Sequence, residues 1–499
     1  MNFLCSHYRS NTPLSIGEGL GVRLILFFFF FLINSPLILA GKVIIKGNNP
    51  DYAGQTLILN VYENQITNTE KALATLKVGE NGDFKTDFSI DKTEFVFFHE
   101  GVFNIYFYAE PEMVYTVKLP TRTEKKPEDK LNPYFEEIRV HLLITSAKFV
   151  GQPANADANH ELNFLIRNFD NYFDPFYNKY AMNIYTKTDV KEMDTTLRRI
   201  ESIFANQGQS YFNAYYNYRM GLLKFMSTRF KSRNTSDNYF LNKPVLYDNP
   251  AYMELFNQVY DKYFVYFGRT KSGKIIYDDI NTFKSLGRLK ATLSQDKVLE
   301  NDTLKELVIL KGLHDGCYEM EFSRSALLQI LDSLTNNTTI QKHKVIAKDI
   351  REKVTKLLVG YAPPAFRLLN QDSVWVSLND FKGSYVYLFF CTTQNYACLK
   401  EFDQLKKLQE KHGKLIKIVA ISADESLSNI RDFLSKYKYT WTFLHYGGQP
   451  DIIKEYDIRA FPTFFLIDKE GKLAMSPATS PSEDFEEHLY KYLQAKREL

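Results

Sequence analysis

Two cysteines lie close together in the C-terminal part of the chain, and they are the residues best suited to chemistry. Cys391 and Cys398 fall in the segment "FFCTTQNYACLKEF", residues 389–402. A cysteine thiolate is a nucleophile, and two cysteines within reach of one another form a disulfide. The apolar run "SYVYLFF" precedes them and a charged, amphipathic stretch follows, so we expect a buried strand and then a helix from about Tyr396 to His412. The sequence predicts a thiol site at a strand–helix junction.

The spacing of these cysteines differs from that of a C-x-x-C redox pair. Such a pair would need a cysteine three residues before Cys398, and that position is Asn395. An amide forms neither a thiolate nor a disulfide, so the ordinary dithiol cycle is excluded at this motif. A pair of Cys391 and Cys398 requires that the Cys391 side chain points to the sheet face on which the following helix packs. Because "YVYLFF" is apolar throughout, we expect reduced thiols that contribute to the core.

The other cysteines give no sign of a disulfide framework or a metal site. Cys5 lies in the N-terminal leader described below, and three cysteines cannot all pair within one chain. Cys317 has only His314 nearby, without a second pair at metal-ligand spacing. We therefore predict a packed thiol at Cys317, and we expect neither a metal nor another cofactor.

Composition and charge describe a globular protein of several domains. The chain has 499 residues, and 62 basic against 59 acidic residues give a formal charge of +3, which offers no electrostatic footprint for nucleic acid. Residues 1–40 combine early arginines, an apolar run "LILFFFFFLINSPLILA" and a small final residue, a pattern that predicts a secretory signal peptide. A retained membrane anchor is the alternative. We expect no other membrane span.

Three domains are expected after this leader. Short runs with period two over residues 41–120 predict an antiparallel β-sandwich. Residues 134–358 carry apolar residues at helical spacing and predict a helical domain whose aromatic stripes form its core. Strands that alternate with helices, followed by a hairpin, predict an α/β domain over residues 359–499. The fold class is therefore multidomain, with α and β parts.

The last 140 residues resemble a known family. "APPAFRLLNQD", "VSLNDFKGSYVYLFF", "CLKEFDQLKKL", "VAISADES" and "YDIRAFPTFFLIDKEGKL" resemble the TlpA/ResA-like thiol-disulfide oxidoreductases, redoxins of the thioredoxin fold. The resemblance implies a cis peptide bond between Phe461 and Pro462, beside the sulfurs, where substrate backbone pairs. It also implies that Glu401 handles a proton near the sulfurs, and that Asn395 replaces the attacking cysteine of the family.

Three functional interpretations follow. In the first, the domain binds a protein or peptide partner through the edge at which the family binds its substrate. This edge is formed by Asn395, Tyr396, Phe461 and Pro462. In the second, Cys391 and Cys398 form an unconventional redox or structural pair, with Cys391 at the position of the family's strand-end tryptophan.

In the third interpretation, Cys398 acts alone, as in the T-x-x-C motif of the peroxiredoxins. The proline of that motif is replaced by Cys391 and a later arginine by Pro462. Catalytic roles for Cys398, Cys391 and Glu401 are thus tied to the second and third interpretations, and whether the protein is an enzyme stays open. The leader and the resemblance predict a location in the periplasm or cell envelope.

Overall fold

A computed structural model of the chain describes residues 40–151, 161–182, 190–205, 207, 209–227 and 232–498. The predicted signal peptide lies outside these residues, except for its last position, Ala40. Within the described ranges, no helix is long and apolar enough to cross a bilayer. Three parts follow one another along the chain: a pair of β-sheets, a helical region and an α/β domain.

Nine strands form the two N-terminal sheets. They are β1 (Gly41–Asn48), β2 (Thr56–Asn64), β3 (Thr69–Lys77), β4 (Asp83–Ile90), β5 (Glu94–Glu100), β6 (Phe103–Ala109), β7 (Met113–Lys118), β8 (Ile138–His141) and β9 (Leu143–Phe149). One sheet has the order β4-β1-β7-β9 and the other the order β3-β2-β5-β6-β8. Buried residues from both sheets, such as Val43 and Phe107, share one core.

Both sheets are mixed, whereas we predicted an antiparallel sandwich. β1 pairs in parallel with β7, and β6 pairs in parallel with β8. Alternation of apolar and polar residues is typical of a half-buried strand. In β4, for example, Phe84 and Phe88 are buried, and Lys85 and Asp87 are exposed. This alternation does not report strand direction, because side chains alternate in the same way in parallel and antiparallel pairs. The direction is set by the connections between strands.

The last two of these strands lie in a stretch that we predicted to be helical from residue 134. β8 adds to the edge strand β6, and β9 adds to the edge strand β7. Pairing with residues 25 to 36 positions earlier in the chain therefore decides the conformation of residues 138–149, as shown by the Phe103–Ile138 and Lys118–Leu143 pairs. A local pattern could not reveal it.

The middle of the chain is helical, as predicted. After the short helix α1 (Pro127–Lys130) in the linker, the helices are α2 (Leu162–Met182), α3 (Val190–Phe204), α4 (Ser210–Ser227), α5 (Ser232–Tyr239), α6 (Pro250–Val259), α7 (Tyr263–Gly268), α8 (Ile276–Asn281), α9 (Leu286–Leu293), α10 (Asp302–Gly316), α11 (Arg324–Asn337) and α12 (Gln341–Thr355). The aromatic stripes form core, as predicted, with Tyr215, Tyr218 and Phe256 all buried in one cluster. The helical stretch is broken between α6 and α7, where Lys262 has φ of +47°.

The five-stranded sheet is covered on both faces. Its inner face contributes to the core between the sheets, and Phe95, Phe97 and Tyr108 on its outer face join the helical core. The side chain of Asn163 in α2 accepts a hydrogen bond from the Tyr108 backbone N–H at 2.6 Å and donates to the Tyr108 carbonyl at 2.8 Å. The helical region is thereby fastened to β6.

The C-terminal part is the predicted thioredoxin-like α/β domain. Its strands are β10 (Arg367–Asn370), β11 (Trp375–Ser377), β12 (Tyr385–Cys391), β13 (Ile416–Ser422), β14 (Thr442–His445), β15 (Thr463–Ile467) and β16 (Leu473–Ala478), and its helices are α13 (Tyr396–His412), α14 (Leu427–Tyr437), α15 (Pro450–Glu455) and α16 (Phe485–Lys496). The sheet order is β11-β10-β14-β13-β12-β15-β16. β12, β13 and β14 are parallel, and β15 and β16 form the predicted antiparallel hairpin.

Candidate functional site

The candidate site lies at the carboxyl end of the central strand β12. Every residue of this strand is buried, and its side chains alternate between two cores. Tyr387, Phe389 and Cys391 join the cluster that contains the α13 residues Cys398 and Phe402. The intervening residues of β12 join the core on the opposite face. Cys391 therefore faces the helix that follows it, which is the orientation that a pair with Cys398 requires.

Asn395 is the N-cap of α13. Its side-chain oxygen accepts hydrogen bonds from the backbone N–H groups of Ala397, at 2.8 Å, and of Cys398, at 3.3 Å. Asparagine is among the best N-cap residues because it satisfies N–H groups that have no partner within the helix. The next residue, Tyr396, is 83% exposed and projects at the rim of the site. We did not predict the capping role, although the position of Asn395 directly before the predicted helix was the signal for it.

Cys398 lies in the first turn of α13 and is 1% exposed. Burial raises the pKa of its thiol to about 11, and a hydrogen bond from the Thr392 backbone N–H opposes this effect. The negative charges of Asp424 and Glu401 add to the rise in pKa. The thiol is therefore overwhelmingly protonated at neutral pH, despite its position near a helix N-terminus.

Cys391 is completely buried at the end of β12 and is a free thiol, as is Cys398. Burial raises the pKa of Cys391 well above its ordinary value, and the charges of Cys398 and Asp424 act in the same direction. Reduced thiols at these two positions agree with the prediction. Cys317 is also a free, buried thiol, at the C-terminal end of α10 in the helical core.

Asp424 is a buried carboxylate at the site that sequence reasoning missed. It follows β13, whose last residue Ser422 pairs with Cys391. Its carboxylate accepts the Thr393 backbone N–H, at 3.1 and 3.2 Å for the two oxygens, and the Ser422 hydroxyl at 2.5 Å. The available signal was the polar stretch "SADES" directly after a buried strand, because parallel strand ends meet at one edge of a sheet.

Glu401 lies on the same side of α13 as Cys398 and is buried. Its carboxylate accepts hydrogen bonds from the Ser482 backbone N–H, at 3.2 Å, and from the Ser482 hydroxyl. The loop before α16 therefore holds this carboxylate. Its charge reaches Cys398, as the predicted position one helical turn away implies.

The predicted cis peptide bond between Phe461 and Pro462 is present. Both residues are partly exposed, and they precede Thr463, which pairs with Phe390 where the ladder between β12 and β15 ends. Within the described strands, this ladder does not include residues 460–462. The cis bond thus lies beside the end of β12, next to the strand terminus that carries Cys391.

The structure brings all the predicted site residues to one edge of the domain, but at two depths. Cys391, Cys398 and Glu401 lie below the surface, and Tyr396 and the Phe461–Pro462 bond lie at it. A molecule that approaches this edge would meet the Tyr396 ring and the Phe461–Pro462 backbone before it met a sulfur. The described residues contain no group of three or more side chains suited to hold a metal ion.

Comparisons with known proteins match this same part of the chain. A profile of the AhpC/TSA family matches residues 359–476. The thiol-disulfide oxidoreductase ResA of Bacillus thuringiensis is 33% identical over 142 residues, which are 28% of this chain and 81% of ResA. The chloroplastic peroxiredoxin Q of Populus jackii is 29% identical over 179 residues, 33% of this chain and 74% of that protein.

The chain is also similar to part of a solved structure. The thioredoxin domain of a thiol-disulfide oxidoreductase from Bacteroides vulgatus is 25% identical, with 27% of this chain and 97% of that domain covered and a TM-score of 0.25. The sequence matches and the α/β architecture agree on the same C-terminal residues. Through this C-terminal domain, the chain belongs to the thiol-disulfide oxidoreductase family that includes ResA.

Proposed function

We propose that the C-terminal domain binds an extended segment of a partner protein at the edge formed by Asn395, Tyr396, Phe461 and Pro462, without dithiol exchange. The observation that carries this proposal is that Asn395 serves as the N-cap of α13. The position three residues before Cys398 holds an amide whose oxygen bonds the helix N-terminus, where a redox pair would hold an attacking thiolate.

The surface beside this cap supports binding of a peptide backbone. Tyr396 offers a nearly fully exposed ring, and Ala460 is also exposed. Residues 460–462 run past the end of the β12–β15 ladder, so an added strand can pair with them. An exposed aromatic ring beside backbone groups that lie outside the strand ladder suits recognition of a peptide.

The family relationship supports the same edge. ResA is named for thiol-disulfide exchange, a reaction in which a protein disulfide must approach the site. A chain that keeps the docking edge and lacks the attacking thiol retains the binding step alone. The depth of Cys398 and its pKa of about 11 disfavour a function in which this thiol alone attacks a large substrate.

We also propose that this binding takes place in the periplasm or cell envelope. The support is the leader pattern in residues 1–40, with its arginines, apolar run and small final residue. Sequencing the amino terminus of exported protein tests this proposal: a start near Gly41 supports cleavage, and an intact terminus in the membrane fraction supports an anchor.

Binding is tested with peptides selected from a random library against the full chain. We expect Tyr396→Ala to weaken the selected peptides about tenfold, the loss of one aromatic anchor. Tyr437→Ala is the matched control, because Tyr437 is a 40% exposed tyrosine on α14, outside the edge. Equal affinity for Tyr396→Ala and wild type would contradict the proposal. So would a mixed disulfide between peptide and Cys398.

A further inference from the structure

The loop between α7 and α8 carries three cationic side chains around one hollow. Its sequence is "RTKSGKI", residues 269–275. Arg269, Lys271 and Lys274 all line a hollow with a volume of about 820 Å³ on the surface of the helical region. All three residues are exposed, and in the described part of the chain none of them forms an ion pair. The loop therefore presents unpaired positive charge to solvent.

Hydrogen bonds within the loop hold its backbone in place. The Thr270 hydroxyl donates to the Phe267 carbonyl at 2.7 Å and accepts the Gly273 backbone N–H at 3.0 Å. A Cβ atom at Gly273 would lie 2.1 Å from the same carbonyl oxygen, so the loop packs directly against the end of α7. The fold thus keeps the three cations around one hollow although they repel one another.

Large apolar side chains surround the same hollow. Ile275 lines it and is 43% exposed, and Tyr266 and Phe283 are more than half exposed. The Tyr266 ring centroid lies 5.7 Å from the Arg269 guanidinium. Phe283 donates its backbone N–H to the carbonyl of Asp278, another lining residue, at 2.9 Å. Single exposed apolar residues are common, but three of them beside one group of cations indicate an interaction surface.

The balance of charge over this region is positive. Residues 266–288 contain five basic and two acidic residues, so their net charge is 5 − 2 = +3, which equals that of the whole chain. One of the two acids, Asp279, is buried and bonded to Arg288 at 2.8 Å. Among the described residues that line the hollow, Asp278 is the one acid. The small net charge of the chain therefore conceals a local basic patch.

We propose that this region docks on the surface of a bilayer that contains anionic phospholipids. The docking face consists of Tyr266, Arg269, Lys271, Lys274, Ile275 and Phe283. The proposal does not depend on the partner binding proposed for the C-terminal domain. Docking of this kind keeps a chain at a membrane surface without a spanning helix.

A bilayer surface matches both parts of the docking face. Its phosphate layer attracts lysine and arginine, and its interface accepts aromatic and apolar side chains just below the headgroups. A free phosphate ion would satisfy the cations and leave the apolar side chains in water. Lysine ammonium groups act as point charges on long stems, so they need no fixed arrangement of the anions they meet. A fluid headgroup layer offers no such fixed arrangement, whereas a folded protein partner does.

The test measures partition of the chain from Gly41 onwards into lipid vesicles. The hydrophobic cores of the described residues begin at Val43, and omission of the leader removes an apolar run that would itself bind lipid. We expect co-sedimentation at low salt with vesicles of phosphatidylglycerol and phosphatidylcholine, and partition at least about tenfold weaker into phosphatidylcholine alone. Salt at about 0.5 M should release most of the protein, because it screens the charges.

Substitutions in the hollow give the direction of the effect. Lys271→Gln combined with Lys274→Gln should weaken partition about twenty-five-fold, since each cation near an anionic surface contributes about fivefold. Asp278→Asn should strengthen partition about fivefold, which a loss of structure cannot produce. Lys46→Gln combined with Lys85→Gln is the matched control. These two exposed lysines lie opposite each other on β1 and β4, so the control removes the same charge from another face and should bind like wild type.

A fluorescent label reports whether the apolar part of the docking face enters the interface. The three cysteines after residue 41 are buried, so a polarity-sensitive dye reacts selectively with Ile275→Cys. We expect its emission to shift to the blue when anionic vesicles are added. Ile58→Cys, at a more than half exposed isoleucine of β2, should show no shift.

Several outcomes would overturn the proposal. One is the absence of sedimentation with anionic vesicles at low salt. Another is an equal loss of partition in the Lys46/Lys85 and Lys271/Lys274 double variants, because charge alone would then account for binding. An unshifted label at residue 275 in vesicle-bound protein would likewise exclude docking through this face.

Discussion

The side-chain oxygen of Asn395 accepts the backbone N–H of Cys398 at 3.3 Å. Asn395, which occupies the position where a C-x-x-C pair would have its first cysteine, thus also binds the residue that carries the buried thiol. The hydrogen bond fixes the first turn of α13 and, with it, the depth of the sulfur. A substitution at Asn395 is expected to change both the chemistry and the helix terminus, and the two effects can be separated.

Asn395→Cys should introduce thiol-disulfide exchange. The new sulfur would lie at the exposed start of α13, where backbone N–H groups and the helix dipole favour a thiolate, with Cys398 one turn deeper as its partner. We expect insulin disulfide reduction about tenfold or more above a wild-type background near zero.

Asn395→Ser is the matched control for this experiment. Serine retains an N-cap oxygen and carries no thiol, so it should preserve stability and remain inactive. Wild-type protein as active as an ordinary thioredoxin would contradict the prediction.

Asp424→Asn should make both site cysteines more reactive. The charge of Asp424 raises the pKa of Cys391 and of Cys398, and its removal lowers both. We expect severalfold faster alkylation of Cys398 in the native protein, with the pH profile displaced to lower pH.

Asp403→Asn serves as the control, because Asp403 lies on the same helix α13 and interacts with Tyr439. Its substitution should leave the alkylation of Cys398 unchanged. Identical profiles for Asp424→Asn and wild type would show that the charge does not reach the sulfur.

His99 should titrate far above its ordinary range. Hydrogen bonds to Glu137, at 2.5 Å, and to Glu70, at 3.3 Å, raise its pKa to about 9. Because the folded-state pKa is raised, the stabilisation is fully present below about pH 6.5 and is lost as pH rises through about 9.

NMR titration of the His99 ring measures the pKa directly. In urea unfolding, the stability difference between wild type and His99→Gln should be largest near pH 6 and should shrink towards pH 10. A ring that titrates near 6.5 would show that the two carboxylates do not hold it.

Asn163→Ala should destabilise the junction between β6 and the helices. The substitution leaves the buried backbone N–H and carbonyl of Tyr108 without their partner, at a cost of about 2–4 kcal/mol in the free energy of unfolding. Asn163→Asp keeps the acceptor but places a buried carboxylate against the Tyr108 carbonyl and the Glu161 carboxylate, so it should destabilise at least as much as Asn163→Ala. Asn168→Ala, a partly buried asparagine on the same helix, should change stability much less.

Local sequence patterns predicted the elements that carry the site. The helix from Tyr396 to His412 and the hairpin after Pro462 follow from periodicity and turn residues, and the structure has both. The cis bond at Pro462 was predicted from the family resemblance, because the presence of a proline does not by itself tell whether its peptide bond is cis or trans.

What the sequence did not reveal depends on contacts between distant segments. Asp424 reaches Thr393 only because β12 and β13 end at the same edge, and no local pattern places the two together. Residues 138–149 became strands because partners from residue 103 onwards were available to pair with them. The side to which Cys391 points was likewise undecided by a run that is apolar on both faces.

The coverage of the five-stranded sheet on both faces has a consequence for the modularity of the chain. A gene fragment that ended after β9 would encode a sheet whose outer aromatic face, with Phe95, Phe97 and Tyr108, met water. Such a fragment would aggregate on expression. The C-terminal domain builds its two cores almost entirely from residues after 357, so it can be exchanged between genes as a unit. The chain can therefore be divided near residue 358 without cutting through a core, whereas a division within the first 358 residues would expose one.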